Sequence, residues 1–139
     1  MKLKSILLTT LVLASTAAWA EPSHRAFVTN EKDNTVSVID TKTNEVINTI
    51  NIGERPRGIG LSPDQKQLYV AISEEGAIAV VNLDTLEVVK KLDAGDDPET
   101  FDVAPNGNIY ISNEDDAQAS VIDPKTGETI EVIPVGLEP

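Results

Sequence analysis

Three stretches of the chain decide its fold: FVTN at residues 27–30, YVAI at residues 69–72 and YISN at residues 110–113. They follow one another at steps of 42 and 41 residues. Other landmarks keep the same steps: VID, VVN and VID at 38–40, 80–82 and 121–123, and prolines at 56, 98 and 139. The turn SPD at 62–64 also matches APN at 104–106. Several landmarks that share one period indicate an internal repeat.

Each repeat unit predicts four short β-strands. In the first complete unit they cover residues 58–61, 68–72, 77–83 and 88–92, which are rich in Val, Ile and Tyr and bounded by Pro, Gly, Asn and Asp. The turns PNG at 105–107 and PKTG at 124–127 combine a proline with residues that tolerate a left-handed backbone. Four strands at a period of about 40 residues predict an all-β fold, a β-propeller of four-stranded blades. Its units start near residues 27, 69 and 110.

The first 20 residues predict a cleaved secretory signal peptide. Lys2 and Lys4 precede an apolar run, and Ala18-Trp19-Ala20 places small residues before a cut at Glu21. The run falls short of the about 20 residues that span a bilayer, which disfavours the alternative of an N-terminal membrane anchor. We therefore expect an exported protein, periplasmic or fully secreted, with residues 21–139 as one repeat domain and no membrane contact after cleavage.

Composition excludes several classes of protein. The 139 residues contain no cysteine, which excludes a disulfide scaffold, a thiolate nucleophile and a Cys-ligated metal. Asp and Glu number 23 against 11 Lys and Arg, for a formal charge of −12. This balance argues against nucleic acid as a partner, because nucleic-acid binding needs a basic surface.

The repeat resembles the YVTN β-propeller repeat, and most closely the exported β-propeller proteins associated with PQQ-dependent catabolism. The resemblance rests on NEKDNTV at 30–36, RPRG at 55–58, DPE at 97–99 and NEDD at 113–116, and it covers residues 25–139. It implies a ring of about seven blades, of which this chain would supply about three. It also implies an accessory role in periplasmic PQQ-dependent oxidation, without implying that the chain binds the quinone or any other cofactor.

Two interpretations of the missing blades remain open. The chain is either a truncated piece of a longer propeller, or several chains associate to complete a ring. In both cases the terminal blades need a partner, because a partial ring exposes apolar faces and unpaired strand edges.

The candidate binding residues lie on two sets of loops that surround one mouth of a propeller channel. These loops are rich in carboxylates, and Arg55 and Arg57 are their main cations. We expect this acidic face to bind a cationic periplasmic protein such as a cytochrome, or a divalent cation. The alternative is that exposed turns simply favour such residues. The candidates are Asp33, Arg55, Arg57, Glu74, Glu75, Asp96, Asp97, Glu99, Glu114, Asp115 and Asp116.

Repeat alignment places Arg55 and Arg57 opposite Asp97 and Glu99 of the next unit. This predicts ion pairs between blades, with the anchoring of an anion as the alternative. The run Glu114-Asp115-Asp116 offers oxygen ligands for calcium. No EF-hand spacing accompanies it, so we predict no specific metal site.

Recurring aromatic and asparagine positions predict structural roles. Phe27, Tyr69 and Tyr110 share one repeat position, and Phe101 is equivalent to Ile59, which predicts packing between blades. The recurrence of Asn30 as Asn113 predicts a role at a turn or strand end.

The sequence predicts no catalytic residue. The one histidine, His24, precedes the first strand, and no serine has a predicted base beside it. The favoured function is therefore a non-catalytic binding or scaffold protein. The alternatives are a lactonase-like hydrolase and a surface adhesion or antigen-like repeat protein.

Overall fold

A computed structural model describes residues 23–139, so the predicted signal peptide lies outside the described residues. It confirms the all-β fold and the division into propeller blades. Blade 1 contains β1 (Arg25–Asn30), β2 (Thr35–Asp40) and β3 (Glu45–Asn51). Blade 2 contains β4 (Pro56–Leu61), β5 (Gln67–Ile72), β6 (Ala77–Asn82) and β7 (Glu87–Asp93). Blade 3 contains β8 (Pro98–Val103), β9 (Ile109–Asn113), β10 (Gln118–Asp123) and β11 (Glu128–Pro134).

Each blade is an antiparallel sheet in which consecutive strands are neighbours. Blades 2 and 3 have four strands, whereas blade 1 has three within the described residues. The repeat extends to irregularities in the strand register. A shift separates Val38 from Ile39 in β2, Val80 from Val81 in β6, and Val121 from Ile122 in β10. Each pair occupies the same repeat position, so the bulge is a shared feature of the blade.

The loops between strands use the predicted left-handed residues. Gly107 and Gly127 have φ values of 95° and 81° in the turns of blade 3. The loop from β5 to β6 contains a single 3₁₀ turn, Ser73–Glu75, which Gly76 closes at φ 59°. A side chain at position 76 would place its Cβ 2.8 Å from the carbonyl oxygen of Gly95. This close approach brings the β5–β6 loop against the β7–β8 loop, beside the candidate site.

The apolar core lies between the blades, in two clusters that flank blade 2. The first cluster joins Val36 and Val38 of blade 1 to Leu68, Val70 and Ile72 of blade 2. The second joins the opposite face of blade 2 to blade 3, through Tyr69, Ala71, Ile78, Val80, Ile109, Ile111 and Ile122. The middle strands of blade 2 are buried on both faces, which explains why their sequences are almost continuously apolar.

The aromatic residues show where this stacking of blades ends. Tyr69 is 3% exposed between blades 2 and 3, and Phe27 and Phe101 pack against the two clusters, as predicted. Tyr110, at the position equivalent to Tyr69, is 43% exposed, because no described blade covers the far face of blade 3. No helix within residues 23–139 has the length and apolar character needed to cross a bilayer.

The contact between β4 and β8 depends on the absence of a side chain at Gly60. A Cβ there would lie 2.9 Å from Cε2 of Phe101. We expect Gly60→Val to lower the free energy of unfolding by about 1–2 kcal/mol, because the ring must move out of its packed position. Urea unfolding measures the change. The control is Gly136→Val, since a Cβ at Gly136 meets nothing within 4 Å. Equal losses in the two variants would contradict this role of Gly60.

Candidate functional site

The loops that join β1 to β2, β3 to β4, β5 to β6, β7 to β8 and β9 to β10 lie at one end of the blades. Their charged side chains, with those of the first residues of β4 and β8, form what we call the mouth cluster. Its members come from all three blades and are connected by ion pairs or close carboxylate contacts. They are Glu31, Arg55, Arg57, Glu74, Asp97, Glu99 and Glu114.

Arg55 links three carboxylates of the mouth cluster. Its Nε atom is 3.3 Å from Glu31 Oε1, and its Nη1 atom is 3.3 Å from Glu74 Oε1 and 3.7 Å from Asp97 Oδ1. The Asn34 side chain fixes the loop by accepting a hydrogen bond from the Arg55 amide at 3.0 Å. The hydrogen bond to Glu31, with the nearby charges of Asp97 and Glu74, raises the pKa of Arg55 above its usual value. The guanidinium therefore remains a fixed cation.

Arg57 pairs with Glu99 of the next blade, as the repeat alignment predicts. The Nε of Arg57 donates to Glu99 Oε2 at 2.6 Å, and Nη2 contacts the same oxygen. Glu31 Oε1 lies 3.3 Å from Nη1 on the other side. The hydrogen bond to Glu99 raises the pKa of Arg57. Both predicted ion pairs between blades are thus present, since Arg55 also contacts Asp97.

Three carboxylates converge on the blade 3 side of the mouth cluster. Asp97, Glu99 and Glu114 each place a carboxylate oxygen within 4.8 Å of the others. Asp97 also accepts a hydrogen bond from the Ser73 hydroxyl, whereas Glu99 Oε1 is buried without a hydrogen-bond partner. An open cavity of about 550 Å³ lies beside them, lined in part by Arg57, Glu99 and Glu114. This arrangement offers oxygen acceptors to a cationic group.

Asn113 holds the loop that carries Asp97. It is fully buried, and its Nδ2 donates to the carbonyl oxygens of Ala94 at 2.7 Å and Asp96 at 2.9 Å. Its Oδ1 accepts from the Ser120 hydroxyl at 2.8 Å. The equivalent Asn30 instead donates to the hydroxyls of Thr35 and Ser37 within its own blade. Both asparagines have the predicted structural role, and Asn113 positions the site.

Glu75 lies apart from the mouth cluster although it belongs to the same loop as Glu74. It pairs with Lys91 on β7 and accepts a hydrogen bond from the Glu54 amide at 3.1 Å. The hydrogen bond from Lys91 is the main reason why the pKa of Glu75 is lowered. Glu75 therefore stabilises the two loops around it, and it remains ionised at neutral pH.

The structure brings together part of the predicted set. Arg55, Arg57, Glu74, Asp97, Glu99 and Glu114 meet in the mouth cluster. Asp33, Asp96, Asp115 and Asp116 are exposed on the same loops and form no ion pair within residues 23–139. The candidate set omitted Glu31, which contacts both arginines. Glu31 lies in the β1–β2 loop, at the same end of the blades as the loop that carries both arginines, and this position is the sequence signal that points to it.

Comparison with known proteins identifies the family. Residues 17–132 match the family model described as "Lactonase, 7-bladed beta-propeller". The chain belongs to this family. The curated relatives it matches include the uncharacterized protein YncE of Salmonella typhi, at 38% identity over 63 residues. That alignment covers 45% of this chain and 18% of YncE, so the chain spans less than a fifth of the curated relatives it matches.

Solved structures share the architecture of this propeller segment. Hydrazine synthase of Kuenenia stuttgartiensis superposes with a TM-score of 0.77 at 22% identity, over 84% of this chain and 34% of that one. A putative 6-phosphogluconolactonase of Bacteroides fragilis gives a TM-score of 0.73 at 25% identity, over 84% and 37%. The first of these likenesses concerns the fold alone.

Proposed function

We propose that this chain is an exported, non-catalytic binding module whose mouth cluster docks a cationic protein. The observation that carries the proposal is the charge balance of the mouth cluster. Five carboxylates surround two guanidinium groups, and both guanidinium groups are already engaged by carboxylates. The net charge left for a partner is therefore negative.

The exposed acidic residues around the mouth cluster add to its negative electrostatic potential. Asp33, Asp96, Asp115 and Asp116 stand on the surrounding loops without intramolecular ion pairs in the described chain. A concentrated field of one sign raises the rate at which an oppositely charged partner associates. A basic periplasmic electron-transfer protein such as a cytochrome matches this surface. The resemblance to proteins of PQQ-dependent catabolism supports an accessory role beside an oxidase.

Binding of a lysine-rich c-type cytochrome to the full chain tests this function. We expect saturable binding that weakens by at least about tenfold between about 20 mM and about 500 mM salt, because exposed charge pairs are screened. An acidic cytochrome serves as the reference and is expected not to bind. Affinity that is unchanged by salt would contradict electrostatic docking.

Two matched triple variants locate the surface. E114Q/D115N/D116N removes three charges from the mouth, whereas E45Q/E87Q/E128Q removes three exposed charges from equivalent positions at the start of the outermost strands. We expect the first variant to weaken binding several-fold more than the second. Equal losses would show that only the net charge of the protein matters, and would overturn docking at the mouth.

A lactonase-like hydrolase is the second candidate, favoured by the family and by Glu99. A buried carboxylate oxygen without a hydrogen-bond partner beside a cavity of about 550 Å³ is a candidate general base. Proton release from a panel of lactones, including a 6-phosphogluconolactone, tests this function. Turnover that is lost in Glu99→Gln and kept in Glu75→Gln would favour the hydrolase over the binding module.

A further inference from the structure

A second cavity, of about 520 Å³, lies at the opposite end of the blades from the mouth cluster. Its walls are the β4–β5 and β6–β7 turns of blade 2 and the β8–β9 and β10–β11 turns of blade 3. We call it the hairpin cavity. Its volume is within the range of small-molecule sites, and it lies where the two four-stranded blades meet. None of the residues predicted from the sequence to bind a partner lines it.

Several side-chain oxygens of the hairpin cavity already accept hydrogen bonds from its own turns. Asp64 Oδ1 accepts from the Ser62 hydroxyl at 2.7 Å and from the Lys66 amide at 3.1 Å. The Ser62 hydroxyl bond is the main reason why the pKa of Asp64 is lowered. Asn82 Oδ1 accepts from the amides of Asp84 and Thr85 at 2.8 and 3.1 Å. These oxygens are therefore committed to holding the turns.

Several side-chain hydrogen-bond donors that line the hairpin cavity remain available. In both Asn82 and Asn106 the side-chain oxygen accepts a backbone hydrogen bond, which leaves the amide nitrogen as the free group. Tyr69 donates its hydroxyl to Gln67 Oε1 at 3.2 Å, which orients the Gln67 amide in the same way. The ammonium groups of Lys66 and Lys125 form no ion pair within residues 23–139.

The excess of free hydrogen-bond donors over free acceptors determines which chemical group of a ligand fits the hairpin cavity. Two ammonium and three amide donor groups line the cavity, and the exposed carboxylates of Asp64 and Asp84 oppose them. Because Asp64 Oδ1 already accepts two hydrogen bonds, these donor groups outnumber the remaining carboxylate oxygens. Free donors are satisfied best by a charged oxyanion, which forms shorter and stronger hydrogen bonds than a neutral acceptor. We propose that the hairpin cavity binds a small molecule through a carboxylate or phosphate group, with Lys66 and Lys125 as its principal contacts. This site is independent of the function proposed for the mouth cluster.

Titration of the isotope-labelled full chain with inorganic phosphate, and separately with succinate, tests the proposal by NMR. We expect saturable shifts of the amides of Lys66, Gly107 and Lys125 with one or both anions, and the pattern distinguishes phosphate from carboxylate. K66Q/K125Q is expected to lower the affinity by at least about tenfold, since two charge-assisted hydrogen bonds are removed. K32Q/K42Q removes two exposed lysines outside the cavity and is expected to retain the wild-type affinity.

Three results would overturn the proposal. The first is the absence of saturable shifts with either anion. The second is a set of shifts confined to the arginines of the mouth cluster. The third is an equal loss of affinity in both double variants, which would reflect net charge alone. Because all four substitutions are at exposed turn lysines, thermal unfolding of the variants provides the check that their fold is unchanged.

Discussion

Asn113→Ala is expected to lower the free energy of unfolding by about 3 kcal/mol. The substitution removes two donors from the carbonyl oxygens of Ala94 and Asp96 and one acceptor from the Ser120 hydroxyl. Ala94 and Ser120 are 1% and 3% exposed, so water cannot replace these partners without opening the blade. A buried polar group left without a partner costs about 1–3 kcal/mol, and the cavity adds to this loss. Chemical denaturation measures the total.

Asn30→Ala is the matched control, because it removes the equivalent residue of blade 1. Asn30 is half-buried and donates to two hydroxyl groups that can rotate toward water, so we expect a loss of about 1 kcal/mol. Hydrogen exchange adds a local readout. The amides of Gly95 and Asp97 should exchange faster in Asn113→Ala and stay unchanged in Asn30→Ala. Equal losses of stability in the two variants would refute the role of Asn113 in holding the β7–β8 loop.

The comparison of these two asparagines shows what the sequence could predict. The repeat identifies both as structural, because they occupy the same repeat position, at the end of a predicted strand. It cannot predict their partners, because the position is Ile72 in blade 2 and belongs to the apolar core there. Asn113 lies beneath the loop that precedes its blade, whereas Asn30 belongs to the first described blade. The partners of each asparagine depend on the groups that surround it in its blade, and the repeat pattern does not predict those surroundings.

The candidate site likewise has a part that the sequence predicts and a part that it does not. The pairs of Arg55 with Asp97 and Arg57 with Glu99 could be predicted, because neighbouring blades place equivalent residues side by side. Which of the remaining acidic residues join the mouth cluster could not be predicted. Glu74 and Glu75 are adjacent in sequence, yet the 3₁₀ turn directs one to Arg55 and the other to Lys91. Charge patterns locate a loop at one end of a blade, and backbone geometry decides which carboxylates meet.

The pairing of Arg57 with Glu99 supports a second prediction of large effect. Their side chains are 28% and 13% exposed, so the carboxylate is the more buried partner. Arg57→Leu should lower the free energy of unfolding by about 2 kcal/mol, because Glu99 then retains a charge that is largely removed from water and has lost its cation. Glu99→Leu should cost less, because Arg57 keeps Glu31 Oε1 at 3.3 Å.

The double variant R57L/E99L separates pairing from packing. It leaves no unpaired charge and should therefore be more stable than Arg57→Leu alone, since interacting residues do not contribute additively. It also leaves the net charge of the mouth cluster unchanged. If that charge draws a cationic protein to this face, R57L/E99L should bind the lysine-rich cytochrome within about twofold of the wild-type affinity. Additive losses of stability would refute the coupling of the pair. A loss of binding without a loss of stability would show that the partner needs the geometry of the pair as well as the field around it.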